Sequence, residues 1–198
     1  MHAYQISAFS PTRDDSHKIT WDIVDEYQTP DPPTGMFFKG VKLDPSVTKA
    51  GLFNFQTLKG HQWLDWYDAF SGWVLVSQHF REFLIEQVGT THENHYQFLD
   101  INIALSSEPM PGKNYKLLNL LTHLDAVDWN KSRYDRHLNG DVRSIWDCYF
   151  IKEVVNNCRY LFRLKGYEVA DGVSLQLSEA IEKQGFSGWS VTEVPFPD

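Results

Sequence analysis

Apolar residues change their period along this chain, and the changes mark its elements. From Ser77 to Val88, Phe80, Phe83, Leu84 and Val88 recur at i, i+3, i+4 and i+8, the spacing of one helix face. Ser77 stands where a side-chain oxygen can accept from first-turn amides, and Gly89 stands where a helix ends, so a capped amphipathic helix is predicted. A second is predicted from Ser174 to Gln184, with Leu177, Ala180 and Ile181 inward and Gly185 at the left-handed closing position. Setting Ser77 on Ser174 pairs Phe80 with Leu177, Phe83 with Ala180, Leu84 with Ile181 and Gln87 with Gln184, and each helix leads through a short break into a strand. This is either a degenerate duplication or the common look of any capped helix before a strand.

Elsewhere the period is two. In Tyr96–Leu105 (YQFLDINIAL), Leu99, Ile101, Ile103 and Leu105 share one parity while Phe98, Asp100 and Asn102 share the other, which predicts a half-buried strand. Short β-branched or aromatic runs at Met36–Leu43, Tyr115–Leu121, Ile145–Ile151 and Arg159–Leu164, bounded by Gly, Pro, Asn or Asp, bring the count to at least five strands. TPDPPTG at 29–35 and SSEPMPGKN at 106–114 are breaks, because proline removes a backbone donor and drives the preceding residue out of helix. Neither is long enough for an interdomain linker. The expected fold is α+β, a largely antiparallel sheet with two or three interspersed amphipathic helices. At 198 residues a single domain is expected, with residues 1–35 forming an N-terminal strand and Pro-rich turn.

Composition narrows the classes of function. With 42% hydrophobic and 15% aromatic residues the chain is too apolar to be disordered. A formal charge of -8 argues against direct binding to nucleic acid, which needs clustered Lys and Arg. Residues 1–34 carry six acids against two bases and residues 166–198 six against one, so the acidity belongs to the two ends and would attract a basic partner there. The start, Met1–Phe9, lacks both a basic stretch and an apolar run of signal-peptide length, and no run approaches the roughly 20 apolar residues that span a bilayer. A cytoplasmic protein is expected, with no membrane partner. Asn130-Lys131-Ser132 is then an accidental sequon. Cys148 and Cys158 lack the paired spacing of a zinc or redox site and are expected as two reduced thiols, a disulfide requiring that their segments form a hairpin.

Catalytic patterns are not found. His92 and His95 in THENH are spaced three apart in a loop-forming stretch, whereas a zincin needs i and i+4 on a helix, so no metal is expected. Gly185-Phe186-Ser187-Gly188 falls short of a nucleophile elbow and follows a helix rather than preceding one. Asp65 and Asp68, three apart on a candidate helix among Trp63, Trp66, Tyr67 and Trp73, fit either a core helix face or an aromatic, acidic ligand pocket. The stretch Asp125–Arg143 mixes charges of both signs with Trp129 and Tyr134, the make-up of a recognition loop. Asp128, Trp129, Tyr134, Asp135 and Asp141 are the candidate contact residues, expected to matter more for partner binding than for folding.

Taken together, YKLLNL at 115–120, DAVDWNKS at 125–132, Phe162-Arg163-Leu164 and SLQLSEAIEKQGFSGWSVTEV at 174–194 resemble a bacterial family, the immunity proteins numbered eleven. The resemblance runs over residues 73–196, the family-like core, and weakens before residue 70; Asp100 stands after the QFL run where a proline would be expected. It implies a protein that binds and neutralises a cognate toxin of polymorphic or contact-delivered systems, including type VI secretion effectors. It brings no active site and no cofactor. A basic nuclease is the toxin class that the acidic charge favours. Two other readings compete: a small enzyme or ligand-binding protein using the pocket near Trp63–Trp73, and a structural subunit of an assembly.

Overall fold

The computed structural model describes residues 3–8, 39–44, 54–57, 64–69, 73–105 and 115–196. In chain order these form β1 (Ala3–Ala8), β2 (Asn54–Thr57), β3 (Trp66–Ala69), β4 (Trp73–Val76), α1 (Gln78–Val88) and a 3-10 turn over Gly89–Asn94. There follow β5 (Tyr96–Leu99), β6 (Asn102–Leu105), β7 (Lys116–Leu120), β8 (His123–Leu124), β9 (Arg133–Arg136) and β10 (Val142–Asp147). The chain closes with α2 (Lys152–Val155), β11 (Phe162–Leu164), β12 (Tyr167–Val173), α3 (Leu175–Gln184) and β13 (Trp189–Val194).

Both predicted helices form, for the predicted reason. The Ser77 hydroxyl accepts from the Phe80 amide at 3.1 Å and the Ser174 hydroxyl from the Leu177 amide at 3.3 Å. Gly185 closes α3 in the left-handed conformation at φ 69°, a backbone state that costs a residue with a Cβ far more than glycine.

The architecture is α+β with mostly antiparallel pairing. One sheet runs β3-β4-β7-β5, another β13-β1-β12-β11-β8, and β9–β10 and β2–β6 are two-stranded. Within the larger sheets, among the described residues only β11–β8 is parallel. The two helical units share a topology. β4 and β5, joined through α1, both lie antiparallel to β7 on either side of it. β12 and β13, joined through α3, flank β1 in the same way. Each is a split strand–helix–strand unit with a foreign strand inserted, which gives the two helices a common setting. β1 thereby ties the start of the chain between its last two long strands.

Two apolar clusters hold these layers. Trp66, Val74, Val76, Phe80, Phe83, Leu84, Leu118, Leu120, Val173, Leu177 and Ile181 draw both helices and both large sheets into one. The other gathers Ala126, Val127, Phe150, Val155, Phe162, Leu164, Ala170 and Val194. Phe162 and Gly172 are cross-strand partners, and a Cβ at Gly172 would fall 2.3 Å from the Phe162 ring, so glycine is what lets that ring lie flat on the sheet.

Several strand expectations shift. Tyr96–Leu105 splits at Asp100 and Ile101 into β5 and β6, which belong to different sheets; Asp100 is exposed and its carboxylate meets Lys116. Met36–Phe38 lie outside the described residues, and Val41–Asp44 form no strand. There the Gln97 side-chain amide stands in for a neighbouring strand: its oxygen accepts from the Leu43 N–H at 2.8 Å and its NH2 donates to the Leu43 carbonyl at 2.6 Å. Asn119 donates to the Val41 carbonyl at 3.0 Å. Strand β10 starts three residues before Ile145 and ends at Asp147, and only Val127–Phe150 bridges beyond it. Asp65 and Asp68 do not share a helix, because Trp66–Ala69 is a strand paired with β4.

Candidate functional site

The recognition stretch becomes a ribbon. Among the described residues β9 and β10 pair only with each other, through Arg136–Val142, Asp135–Ser144, Tyr134–Ile145 and Arg133–Asp147, with two irregularities on the β10 side. No residue in either strand is fully buried, so the ribbon stands on the body instead of packing into it. Its root is firm. Val127 and Phe150, 1% and 0% exposed, form the bridge where the two legs enter the second apolar cluster, and the Ile151 N–H donates to the Ala126 carbonyl at 2.7 Å.

The Asp125–Ser132 segment staples this root. The Asp128 carbonyl accepts from Lys131 at 3.2 Å and from Ser132 at 2.9 Å, while its carboxylate accepts from the Asn130 N–H at 3.1 Å. Such self-capped turns are what short acidic side chains favour. The Ser132 hydroxyl, 8% exposed, accepts from the Tyr149 N–H on the opposite leg at 3.0 Å, and the Asp128 N–H donates to the Tyr149 carbonyl at 2.8 Å. Trp129 is half-buried over the β11–β12 turn, where a Cβ at Gly166 would come within 3.2 Å of its ring. Its other neighbour is Tyr134, edge to face at 5.1 Å.

The tip follows a three-residue hairpin pattern. The His137 N–H donates to the Asp141 carbonyl at 2.8 Å, the Gly140 N–H donates to the His137 carbonyl at 2.9 Å, and Gly140 takes φ 92°. That pattern is a tight turn ending in a glycine bulge, which the Asn-Gly pair serves. Arg136 lies over the Tyr134 ring, 4.8 Å from its centroid, and donates to the Gly140 carbonyl at 2.6 Å. Asn139 and Asp141 brace each other, Nδ2 to Oδ2 at 2.7 Å and Asp141 N–H to Oδ1 at 3.2 Å.

The five candidate residues therefore divide. Tyr134, Asp135 and Asp141 lie on the ribbon, whereas Asp128 and Trp129 build its foot. Leu138 and Trp146 were not among the candidates, yet both present large apolar side chains to solvent, 110% and 64% exposed. Leu138 sits inside a turn signal, where an apolar residue has no periodic neighbours to reveal it, and Trp146 falls in a run that reads as an ordinary strand.

The other chemical candidates whose side chains are described serve structure. Trp66, 1% exposed, stacks edge-on against Phe80 at 5.5 Å and Trp189 at 5.2 Å; Trp63 lies outside the described residues. Asp65 accepts from the Ser77 hydroxyl at 2.7 Å and from the Ser187 hydroxyl and N–H at 2.9 and 3.1 Å, joining the start of α1 to the turn after α3. His92 Nδ1 meets the Gly89 carbonyl at 3.0 Å, while His95 Nδ1 meets the Thr122 hydroxyl at 2.8 Å and its ring stacks on Tyr160 at 3.7 Å. Among the described residues no cluster of three His, Cys, Asp or Glu could hold a metal ion. Cys148 and Cys158 are free thiols. Burial pushes them up to about 11 and about 12, and Cys158 donates to the Tyr160 carbonyl at 3.1 Å. Protonated, with Cys158 buried and Cys148 half-buried, neither is a ready nucleophile.

The model of the Imm11 immunity protein family matches residues 10–195. The chain belongs to this family. No curated protein matches it. The match reaches well before residue 73, so the N-terminal part also belongs to the Imm11 pattern. In this Imm11 protein the quoted stretches have structural places: YKLLNL supplies the buried centre of a sheet, DAVDWNKS the ribbon's foot, Phe162–Leu164 the fully buried β11, and the last stretch the capped α3 and β13. Family membership points to toxin immunity. No helix among the described residues is long and apolar enough to cross a membrane.

Proposed function

We propose that this Imm11 protein neutralises a cognate bacterial toxin by forming a stoichiometric complex with it, and that the β9–β10 ribbon is the surface it uses. Membership of an immunity family carries the first half. The second rests on one observation: the ribbon is a two-stranded element of its own whose legs are anchored in a core while its strands and tip stay accessible. A rigid, exposed element on a packed base holds its contact groups in place before binding, which lowers the ordering cost of association. Tyr134, Asp135 and Asp141 act as contacts, and Asp128 and Trp129 hold the ribbon in position. The protein works in the cytoplasm, without catalysis or cofactor, against a toxin delivered by contact or type VI secretion. The net charge of -8 speeds its approach to a basic toxin such as a nuclease.

Co-expression with the toxin encoded by the adjacent upstream gene tests this. Growth should be restored and the two proteins should co-purify in fixed ratio. A soluble, folded protein that neither protects nor binds refutes the proposal and returns weight to a ligand-binding role.

A further inference from the structure

We infer that Leu138, aided by Trp146 further along β10, is an apolar prong that enters a low-charge apolar cleft on the toxin and sets how long the complex lasts. The inference rests on the immunity reading above and goes further by naming the anchor and the chemistry of the surface that receives it.

Four observations carry it. The Leu138 side chain is completely exposed, and nothing in the hairpin requires it, since the turn positions favour polar residues or proline. The tip bearing it is braced by hydrogen bonds from Arg136, Asn139 and Asp141 on top of the backbone pattern. An anchor held in one shape loses little freedom on docking. Trp146, further down β10, exposes a second large apolar surface, and aromatic side chains are frequent binding hot spots.

The fourth is electrostatic. Residues 133–147 hold three arginines and three aspartates, and the ribbon satisfies them internally. Arg133 pairs with Asp147 at 3.2 Å, Arg143 with Asp135 at 3.8 Å, and Arg136 is spent on Tyr134 and the Gly140 carbonyl. With its charges balanced in this way the tip offers no net Arg or Asp charge to a partner, and an apolar cleft of low charge takes it as it stands. The chain's excess of negative charge lies outside the ribbon and acts on approach. Salt should therefore slow association and leave dissociation unchanged.

The test uses the full chain and the toxin encoded beside it, with growth protection and dissociation rate as readouts. Leu138→Asp should dissociate on the order of thirtyfold faster or more and lose protection, while melting like the wild type. Leu138→Ala combined with Trp146→Ala should show the same loss without an added charge. Raising salt should change wild-type dissociation by less than about twofold. If the wild type binds and protects while Leu138→Asp dissociates at the wild-type rate, or if wild-type dissociation accelerates steeply with salt, the prong is refuted and the immunity reading stands. If the wild type neither binds nor protects, both fall.

Discussion

Asp65 offers the sharpest test of how this fold is held. It is half-buried, and its carboxylate accepts three hydrogen bonds, one from Ser77 Oγ at 2.7 Å and two from Ser187, Oγ at 2.9 Å and N–H at 3.1 Å. The Ser77 N–H also donates to the Asp65 carbonyl at 2.9 Å. One side chain thus connects the N-cap of α1 to a turn 122 residues along the chain from Asp65 itself. Asp65→Ala removes all three side-chain bonds. Hydrogen bonds to a charged acceptor contribute about 1.5–3 kcal/mol each, but the two hydroxyls can turn to other partners while the Ser187 N–H cannot. The expected net loss is about 2–4 kcal/mol; Ser77→Ala, which removes both its bond to Asp65 and its cap on the Phe80 amide, should cost about 1–2 kcal/mol. Urea denaturation followed by tryptophan fluorescence would measure it as a lower midpoint at unchanged slope. In a double-mutant cycle Asp65→Ala and Ser77→Ala should couple by at least about 0.5 kcal/mol. A loss below about 1 kcal/mol for Asp65→Ala, or strict additivity of the two, would refute the clamp.

Two further outcomes are expected. Gly172→Ala places a methyl group 2.3 Å from the Phe162 ring, so it should destabilise by about 1–3 kcal/mol through overpacking; a thermal melt at the wild-type temperature would show that the ring moves away at no cost. Burial holds the His95 imidazole below its usual range. It does the same at His123, where Glu168 opposes the shift and Arg163 adds to it. Because the folded chain takes up these protons less readily than the unfolded chain, their contribution is present above the unfolded value of about 6.5 and is lost as pH falls below it. His95→Gln and His123→Gln should each flatten the fall in stability between neutral pH and pH values below that range, and unchanged pH slopes in both variants would contradict the assignment.

The amphipathic helices were legible because everything that specifies them is local. The period of Phe80, Phe83 and Leu84, a serine before and a glycine after are all that α1 needs, and the same chemistry repeats in α3. Family membership was legible too, in stretches whose residues turn out to be the buried strands and the stapled foot of the ribbon. The α+β class followed from counting such segments. By itself, then, the sequence determined the helices and their caps, the class of the fold and the kind of protein.

Tertiary structure decided which strands pair and which side chains remain outside. No periodicity could show that Gln97 would replace a strand against Leu43, since that contact joins residues 54 apart through a side chain. Asp65 looked like one of two carboxylates on a helix face and became a long-range clamp, because Trp66 was drawn into the core as part of a strand. Leu138 and Trp146 read as ordinary apolar residues. Their exposure depends on the ribbon joining no sheet among the described residues, which is a property of tertiary packing and of no local segment.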